Sequence, residues 1–312
     1  MQYSTFAAID IGSYDVILEI FEISKKQGIR SVDKICHRME LGKDTYTLGK
    51  IRPEMEEELC RVLADFVRIM EGYRVDDYRA AASSAISEAS NSLYVLGKIH
   101  QLTGLSVTVL SNSEQRFLSY KALAAMEDNF NKIIEKGTAI LDLDGGSFQI
   151  SLFDKDALVT TQNIRMGSLR IRERLAGIQS ETEHYEEMVE ELIWNEVSSF
   201  KKMYLKDRKI ENIMLIGDVF TDSVYQNIEE KTTKIISREN FNTWYEKIIR
   251  QSPMELAVKL GIPLENASLM YPSAVIYKCL IDMMGAEHIW IPGVHMTCLL
   301  YTSDAADEED SV

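Results

Sequence analysis

The chain has 312 residues, a formal net charge of −15, 46% hydrophobic and 27% charged residues. That length supports two domains, each able to bury its own core, while the acidic balance excludes nonspecific nucleic-acid binding through a global field. No apolar run reaches the roughly 18–20 residues needed to cross a bilayer, so no membrane partner is expected. The N-terminus lacks the basic region of a signal peptide. Four cysteines (Cys36, Cys60, Cys279, Cys298) show no CxxC spacing, which fits a cytoplasmic protein without structural zinc.

From the N-terminus, residues 3–10 and 15–23 pattern as β-strands around Ile-Gly-Ser-Tyr, a strand–turn–strand unit. A third strand is expected near 30–40. Pro53, in the tolerated N1 position, opens a helix with Leu59, Val62, Leu63, Phe66 and Met70 at helical spacing. A strand at about 78–84 leads to a helix around 88–103, and Leu105–Leu110 is a short apolar strand. Ser111 and Ser113 offer N-caps for a helix running to about Met126.

The pattern then repeats. Residues 139–155 are again apolar strand, tight turn and alternating strand, with Asp142 where Asp10 falls. A third strand follows at 157–165, then helices at 168–175 and 183–204, the second announced by a Ser180–Glu183 capping box. Ile213–Ile216 is a strand entering a Gly-Asp turn. Later helices include Ser252–Leu260, stopped by Gly261, and Pro263–Met284, whose Met and aromatic stripes read as core. The whole is a duplicated mixed α/β architecture with a soft boundary: an N-terminal lobe over 1–126 and a C-terminal lobe over 127–297.

Residues 298–312, CLLYTSDAADEEDSV, read as a non-native tail. Cys298–Asp307 looks like an in-frame translation of a sequencing adapter, and the segment holds five acids and no Lys or Arg.

The two turns carry the functional signal. A glycine turn between strands exposes backbone N–H groups and allows the close approach that a phosphate cradle needs. A carboxylate at the end of the first strand suits a hydrated Mg²⁺ that bridges phosphate oxygens. Two such units about 130 residues apart say more than either one alone.

On these motifs the chain resembles the exopolyphosphatase/guanosine-pentaphosphate phosphohydrolase (Ppx/GppA) family. AAIDIGS (7–13) matches its first phosphate motif, MELGKDTYTLGKI (39–51) its arginine-leucine-glycine segment, and AASSAISEASN (81–91) its ATSALREAxN segment. VLSNSEQRFLSYKAL (109–123) matches the glutamate-pair segment, LDLDGGSFQISLF (141–153) the DIGGGSTEL segment, MGSLRIRERL (166–175) the stretch after it, and YPSAVIYKCLIDMMGAEHIWI (271–291) the final helix and strand. The resemblance implies two ribonuclease-H-like (actin-like) α/β domains, mixed sheets flanked by helices with a cleft between them. It implies Mg²⁺-dependent hydrolysis of the terminal phosphoanhydride of polyphosphate or guanosine pentaphosphate, and it is compatible with a homodimer. Gly12, Ser13, Gly145, Gly146 and Ser147 would bind phosphate; Asp10 and Asp142 would hold the metal.

The sequence departs from the family at the positions that cut. The catalytic glutamate aligns with Gln115, leaving only Glu114 of the pair, and the glutamate ending the second turn motif aligns with Gln149. Tyr14, Glu40, Ser87, Asp144 and Phe148 stand for an asparagine, two arginines, a glycine and a threonine, and a Gly-Gly-Thr turn reads Gly217, Asp218, Val219. An amide is not basic at neutral pH, and losing a general base costs about 10²–10⁴ in rate. Exchanging Arg for Ser or Glu removes bidentate phosphate clamps. Against this, Gln115 could orient a water without deprotonating it, and Glu114 could act as base if the helix start were rotated by one residue. Arg165, Arg170, Arg172 and Arg174 are candidate replacement cations or a solvated helix face; the five histidines show no ligand spacing. Two readings therefore stand: a phosphatase with weakened turnover, or an inactive homologue that serves as a polyphosphate- or nucleotide-binding regulatory module.

Overall fold

The structure is a computed structural model that describes residues 3–24, 28–126, 130–176, 185–206, 208–217, 220–221, 223–224, 235–293, 297 and 300. The chain divides into two units, one of Met1–Ala125 with Val294–Val312 and one of Met126–Gly293.

The first unit runs β1 (Ser4–Ile11), β2 (Asp15–Ser24), β3 (Gly28–Arg38), α1 (Leu41–Leu48), α2 (Pro53–Tyr73), β4 (Asp77–Ala82), α3 (Ser84–Ser87), α4 (Ser92–Thr103), β5 (Val107–Val109) and α5 (Asn112–Met126). Its sheet has the order β3-β2-β1-β4-β5, antiparallel through β3, β2 and β1 and parallel through β1, β4 and β5. The amphipathic spacing read in α2 holds: Leu59, Val62, Leu63, Phe66 and Met70 are all buried, and Arg74 closes the helix in the left-handed region at φ 55°. Each such side chain contributes about 1.5–3 kcal/mol of burial.

The second unit runs α6 (Phe130–Ile134), β6 (Thr138–Leu143), β7 (Phe148–Asp154), β8 (Ala157–Ile164), α7 (Ser168–Leu175), α8 (Tyr185–Phe200), β9 (Asn212–Ile216), β10 (Ile235–Ser237), α9 (Arg238–Ile249), α10 (Pro253–Leu260), α11 (Leu264–Met284) and β11 (His288–Trp290). Its sheet order, β10-β11-β9-β6-β7-β8, repeats the first. β8, β7 and β6 are antiparallel, β6, β9 and β11 parallel, with β10 added at the far edge. Both units carry an irregularity ten residues after the strand-end aspartate, between Ile20 and Phe21 and between Leu152 and Phe153. The stripes of α11 are core, as read. Tyr277 is fully buried, its ring 5.4 Å from Phe220, and its hydroxyl donates to the carbonyl of Ile216 at the end of β9. The helix thereby fixes the strand that delivers Gly217.

Several local expectations change. The helix expected over 88–103 is two pieces, α3 and α4, with bends between them. The one expected over 183–204 turns into a π-helix at Lys201–Leu205, and Ser180–Glu183 lies outside the described residues. Neither α1 nor α6 is expected from the sequence. α1 starts at Glu40 without any side-chain cap, so its N-terminal signal is missing from the sequence. Of the segment read as non-native, only Leu300 is described, and it is buried. Just before it, Thr297 is buried and donates to Glu19 Oε2 at 2.5 Å. Among the described residues no helix is long and apolar enough to cross a membrane.

Candidate phosphate-binding turns

In the first unit, β1 and β2 pair through Ile11 and Val16, and Gly12 closes the turn by donating its N–H to the Asp15 carbonyl at 2.9 Å. A Cβ on Gly12 would lie 3.0 Å from that oxygen, so glycine suits the close pass. The Ser13 carbonyl accepts from Gly42 at the start of α1, and the Tyr14 carbonyl from Met39. The hydroxyl of the fully buried Ser13 lies 2.8 Å from the Tyr46 hydroxyl and 3.3 Å from that of Ser84. The Ser13 N–H meets no acceptor among the described residues. Asp10, the last residue but one of β1, is half-buried, its register neighbours being Ile17 and Ala81.

In the second unit the turn Asp144–Ser147 is held from behind by α7. Ser168 N–H donates to the Asp144 carbonyl, Arg170 N–H to the Gly145 carbonyl, and Arg170 Nε to the Gly146 carbonyl at 2.8 Å. With three successive carbonyls turned toward α7, the N–H groups of Gly146 and Ser147 have no acceptor among the described residues, and neither does the Ser147 hydroxyl. Gly167 makes this docking possible: a Cβ there would lie 2.2 Å from the Asp144 oxygen and 2.4 Å from the Gly145 carbonyl carbon. Arg170 thereby spends its Nε on the backbone of the turn. Arg172 likewise pairs with Glu173 and donates to Ser268, and Arg174 reaches the Met166 sulfur.

Asp142, the last residue but one of β6, lies directly opposite Gln149 of β7, which in turn faces Asn163 of β8. Directly opposed residues share a face, so one polar row runs across three strands. Gly217, at φ 95°, brings its backbone over this end of β6; a Cβ there would lie 2.8 Å from Asp142 Oδ1 and 2.5 Å from the Leu143 oxygen. The missing Cβ leaves room beside a carboxylate. Among the described residues no three metal-ligating side chains cluster. One carboxylate with open backbone beside it fits Mg²⁺, which binds through one or two carboxylates plus waters and phosphate oxygens rather than in an all-protein cage.

The departures from the family now have physical addresses. Asp144 does more than set a negative charge near the loop: its Oδ1 accepts the Gly145 N–H at 2.6 Å, occupying a donor that an anion would use. Glu114 serves as a helix cap. Its carboxylate accepts the Ser111 N–H at 2.8 Å while its own N–H donates to the Ser111 hydroxyl, a reciprocal capping box at the start of α5. The Ser111 hydroxyl and then its N–H hold the Glu114 carboxyl below the ordinary carboxylate value, with Arg79 adding to the effect. That makes it a weaker base. Gln115 is half-buried one residue on, its N–H donating to the Ser111 carbonyl. Ser87 is exposed and donates weakly to the Ser84 carbonyl at 3.4 Å; Glu40 N-caps α1 through its backbone. Phe148 and Gln149 are buried in β7, while Asp218 and Val219 lie outside the described residues. His37 faces Glu58 and His100 the Leu105 carbonyl; His184 and His295 are not described.

Two mixed sheets of matching order, each with a glycine turn between its first two strands, define an actin-like fold. The chain belongs to the Ppx/GppA phosphatase family, whose model matches residues 19–294. It is 21% identical over 310 residues to a bifunctional 3-dehydroquinate synthase/phosphatase of Fusobacterium nucleatum, covering 91% of this chain and 44% of that protein. It is 25% identical over 144 residues to exopolyphosphatase 1 of Mycobacterium leprae, covering 46% and 41%. The chain therefore spans less than half the length of these relatives. Among solved structures, the Ppx/GppA family member of Aquifex aeolicus superposes with a TM-score of 0.75 at 18% identity over 98% of this chain and 99% of that one. An exopolyphosphatase of Cytophaga hutchinsonii gives 0.83 at 16% identity over 97% and 98%. At such identities the likeness shows the fold alone.

Proposed function

We propose that this chain binds the terminal phosphates of a polyphosphate-type anion, inorganic polyphosphate or guanosine pentaphosphate, and hydrolyses the terminal phosphoanhydride slowly. One observation carries the reading: the Gly146 and Ser147 N–H groups are left without acceptors among the described residues by a turn three of whose carbonyls are engaged by α7. Buried or half-buried donors are rarely left unpaired, and preorganised amides are what an anion needs. The names of the mycobacterial relatives and the family match support the substrate class. The family is generally dependent on a divalent metal. Asp142, and Asp10 in its own unit, are the residues that would hold Mg²⁺; when bound, the ion neutralises charge on the phosphate oxygens. Turnover is the weakened part, because Gln115 can orient a water but not take its proton. A cytoplasmic location and a homodimer accompany this reading.

A second reading, an inactive binding module, draws support from Glu114 being used as a cap and from amides at positions 115 and 149. Phosphate release from inorganic polyphosphate in Mg²⁺ separates the two. On the first reading the wild type is slow and Gln115→Glu is faster by about 10²–10⁴. Tight binding with no release, unchanged by Gln115→Glu, would favour the module, and no binding at all would sink both. Competition by guanosine pentaphosphate ranks the two anions.

A further inference from the structure

Three hydroxyls from separate parts of the first unit meet beside its glycine turn: Ser13 from the turn, Tyr46 from α1 and Ser84 from the start of α3. Tyr46 Oη lies 2.8 Å from both serine oxygens, whereas the serines are 3.3 Å apart. Two short links and one long one make a chain, Ser84–Tyr46–Ser13, rather than a ring of equals. Each hydroxyl has one proton to give and room to accept. With Ser84 donating to Tyr46 and Tyr46 to Ser13, the Ser13 proton is committed only to the 3.3 Å link. An anion can take that proton at the smallest loss, since a charge-assisted bond replaces the weakest of the three. Polarisation along the chain strengthens the end donor.

Two further observations point the same way. The buried Ser13 N–H and the buried Ser83 hydroxyl have no partner among the described residues, although both sit at this turn; Ser83 N–H donates to the Ile11 carbonyl. Buried polar groups are seldom left unmet, and here two sit at one turn. Tyr46 is also firmly seated. Thr45 donates to the Ala85 carbonyl at 2.7 Å, and the buried Asp44 accepts both the N–H and Nε of Arg52, so α1 is tied at two neighbouring residues.

We infer that the Tyr46 hydroxyl is a positioning group that holds the Ser13 hydroxyl ready to donate to an incoming phosphate oxygen. The inference rests on the phosphate reading above and adds to it a residue outside the glycine turns.

The test is a double-mutant cycle on the full chain, with tripolyphosphate and Mg²⁺ as the probe and calorimetric Kd as the readout. Ser13→Ala is expected to weaken binding about tenfold and Tyr46→Phe about three- to tenfold. The double variant should be no weaker than Ser13→Ala, because Tyr46 acts through Ser13. Ser84→Ala, one link further off, should cost about two- to threefold and provides the readout if Tyr46→Phe does not fold. Wild-type affinity in Tyr46→Phe, or single effects that multiply in the double variant, overturns the inference and leaves the phosphate reading standing. A wild type that does not bind the probe overturns that reading, and with it the role given to Tyr46.

Discussion

The two glycine turns occupy the same place in two sheets of matching order, yet they differ in what holds them. The first adds side chains to its backbone bonds: the Ser13 hydroxyl is fixed by those of Tyr46 and Ser84, and Gly12 makes a close but tolerable pass at 3.0 Å. The second is held through its backbone, with three carbonyls pinned by α7, and a Cβ on Gly167 would lie 2.2 Å from the Asp144 oxygen. The strand-end aspartates differ too. Asp10 has apolar register neighbours, Ile17 and Ala81, whereas Asp142 faces Gln149 in a polar row. Duplication of a frame therefore does not duplicate its chemistry. One turn presents a hydroxyl through a side-chain relay, the other presents amides through carbonyl clamping.

The sharpest way to break this contrast is to fill the glycines. Gly167→Ala drives a Cβ into backbone, not into a flexible side chain, and is expected to cost more than about 3 kcal/mol or to abolish folding of the second unit. Gly12→Ala has only to move neighbours by a few tenths of an ångström and should cost about 1–2 kcal/mol. Thermal or urea denaturation reads both, and equal costs would erase the distinction between the turns.

A milder probe is Arg170→Ala, which frees the Gly146 carbonyl without touching a phosphate donor. Stability should fall by about 1 kcal/mol, and tripolyphosphate binding by roughly tenfold as the amides lose their orientation. Arg170→Lys should not restore binding, because lysine carries a methylene where the arginine Nε donates to the carbonyl. Affinity left intact in Arg170→Ala would mean that the carbonyl clamp does not set the donors.

The smallest effect is at Glu114. Its carboxyl is held below the ordinary value of 4.5, so the capping box contributes stability above that pH and loses it as pH falls through the lower folded-state value. The difference in Tm between wild type and Glu114→Gln should be largest at neutral pH and close below about pH 4. A difference that grows in acid would contradict the capping role.

The sequence carried the frame because strands of period two and paired glycine turns are local signals. β1, β2, β6 and β7, the α2 face and the Ser111 cap could all be read from residues within a few positions of one another. The aspartates and glycines of both turns also fell where their spacing put them. What was hidden is long-range. Tyr46 lies 33 residues from Ser13 on a helix with no capping signal, and nothing local distinguishes it from an ordinary half-buried tyrosine. Arg170 showed only as part of a basic run, because its partner, the Gly146 carbonyl, is 24 residues away and every residue owns a carbonyl. Glu114 was visible both as half of a glutamate pair and as the residue three after Ser111. The structure shows the second identity at work.

The strand irregularities at Ile20/Phe21 and Leu152/Phe153 hold a consequence for how this molecule can change. In both, the extra residue lies on the third strand, Val32 of β3 and Val159 of β8, so the second strand keeps its alternation unbroken along its whole length. Each glycine turn is thus followed by a strand of fixed phase, intolerant of a one-residue insertion or deletion, while the third strand has already absorbed an extra residue without disturbing it.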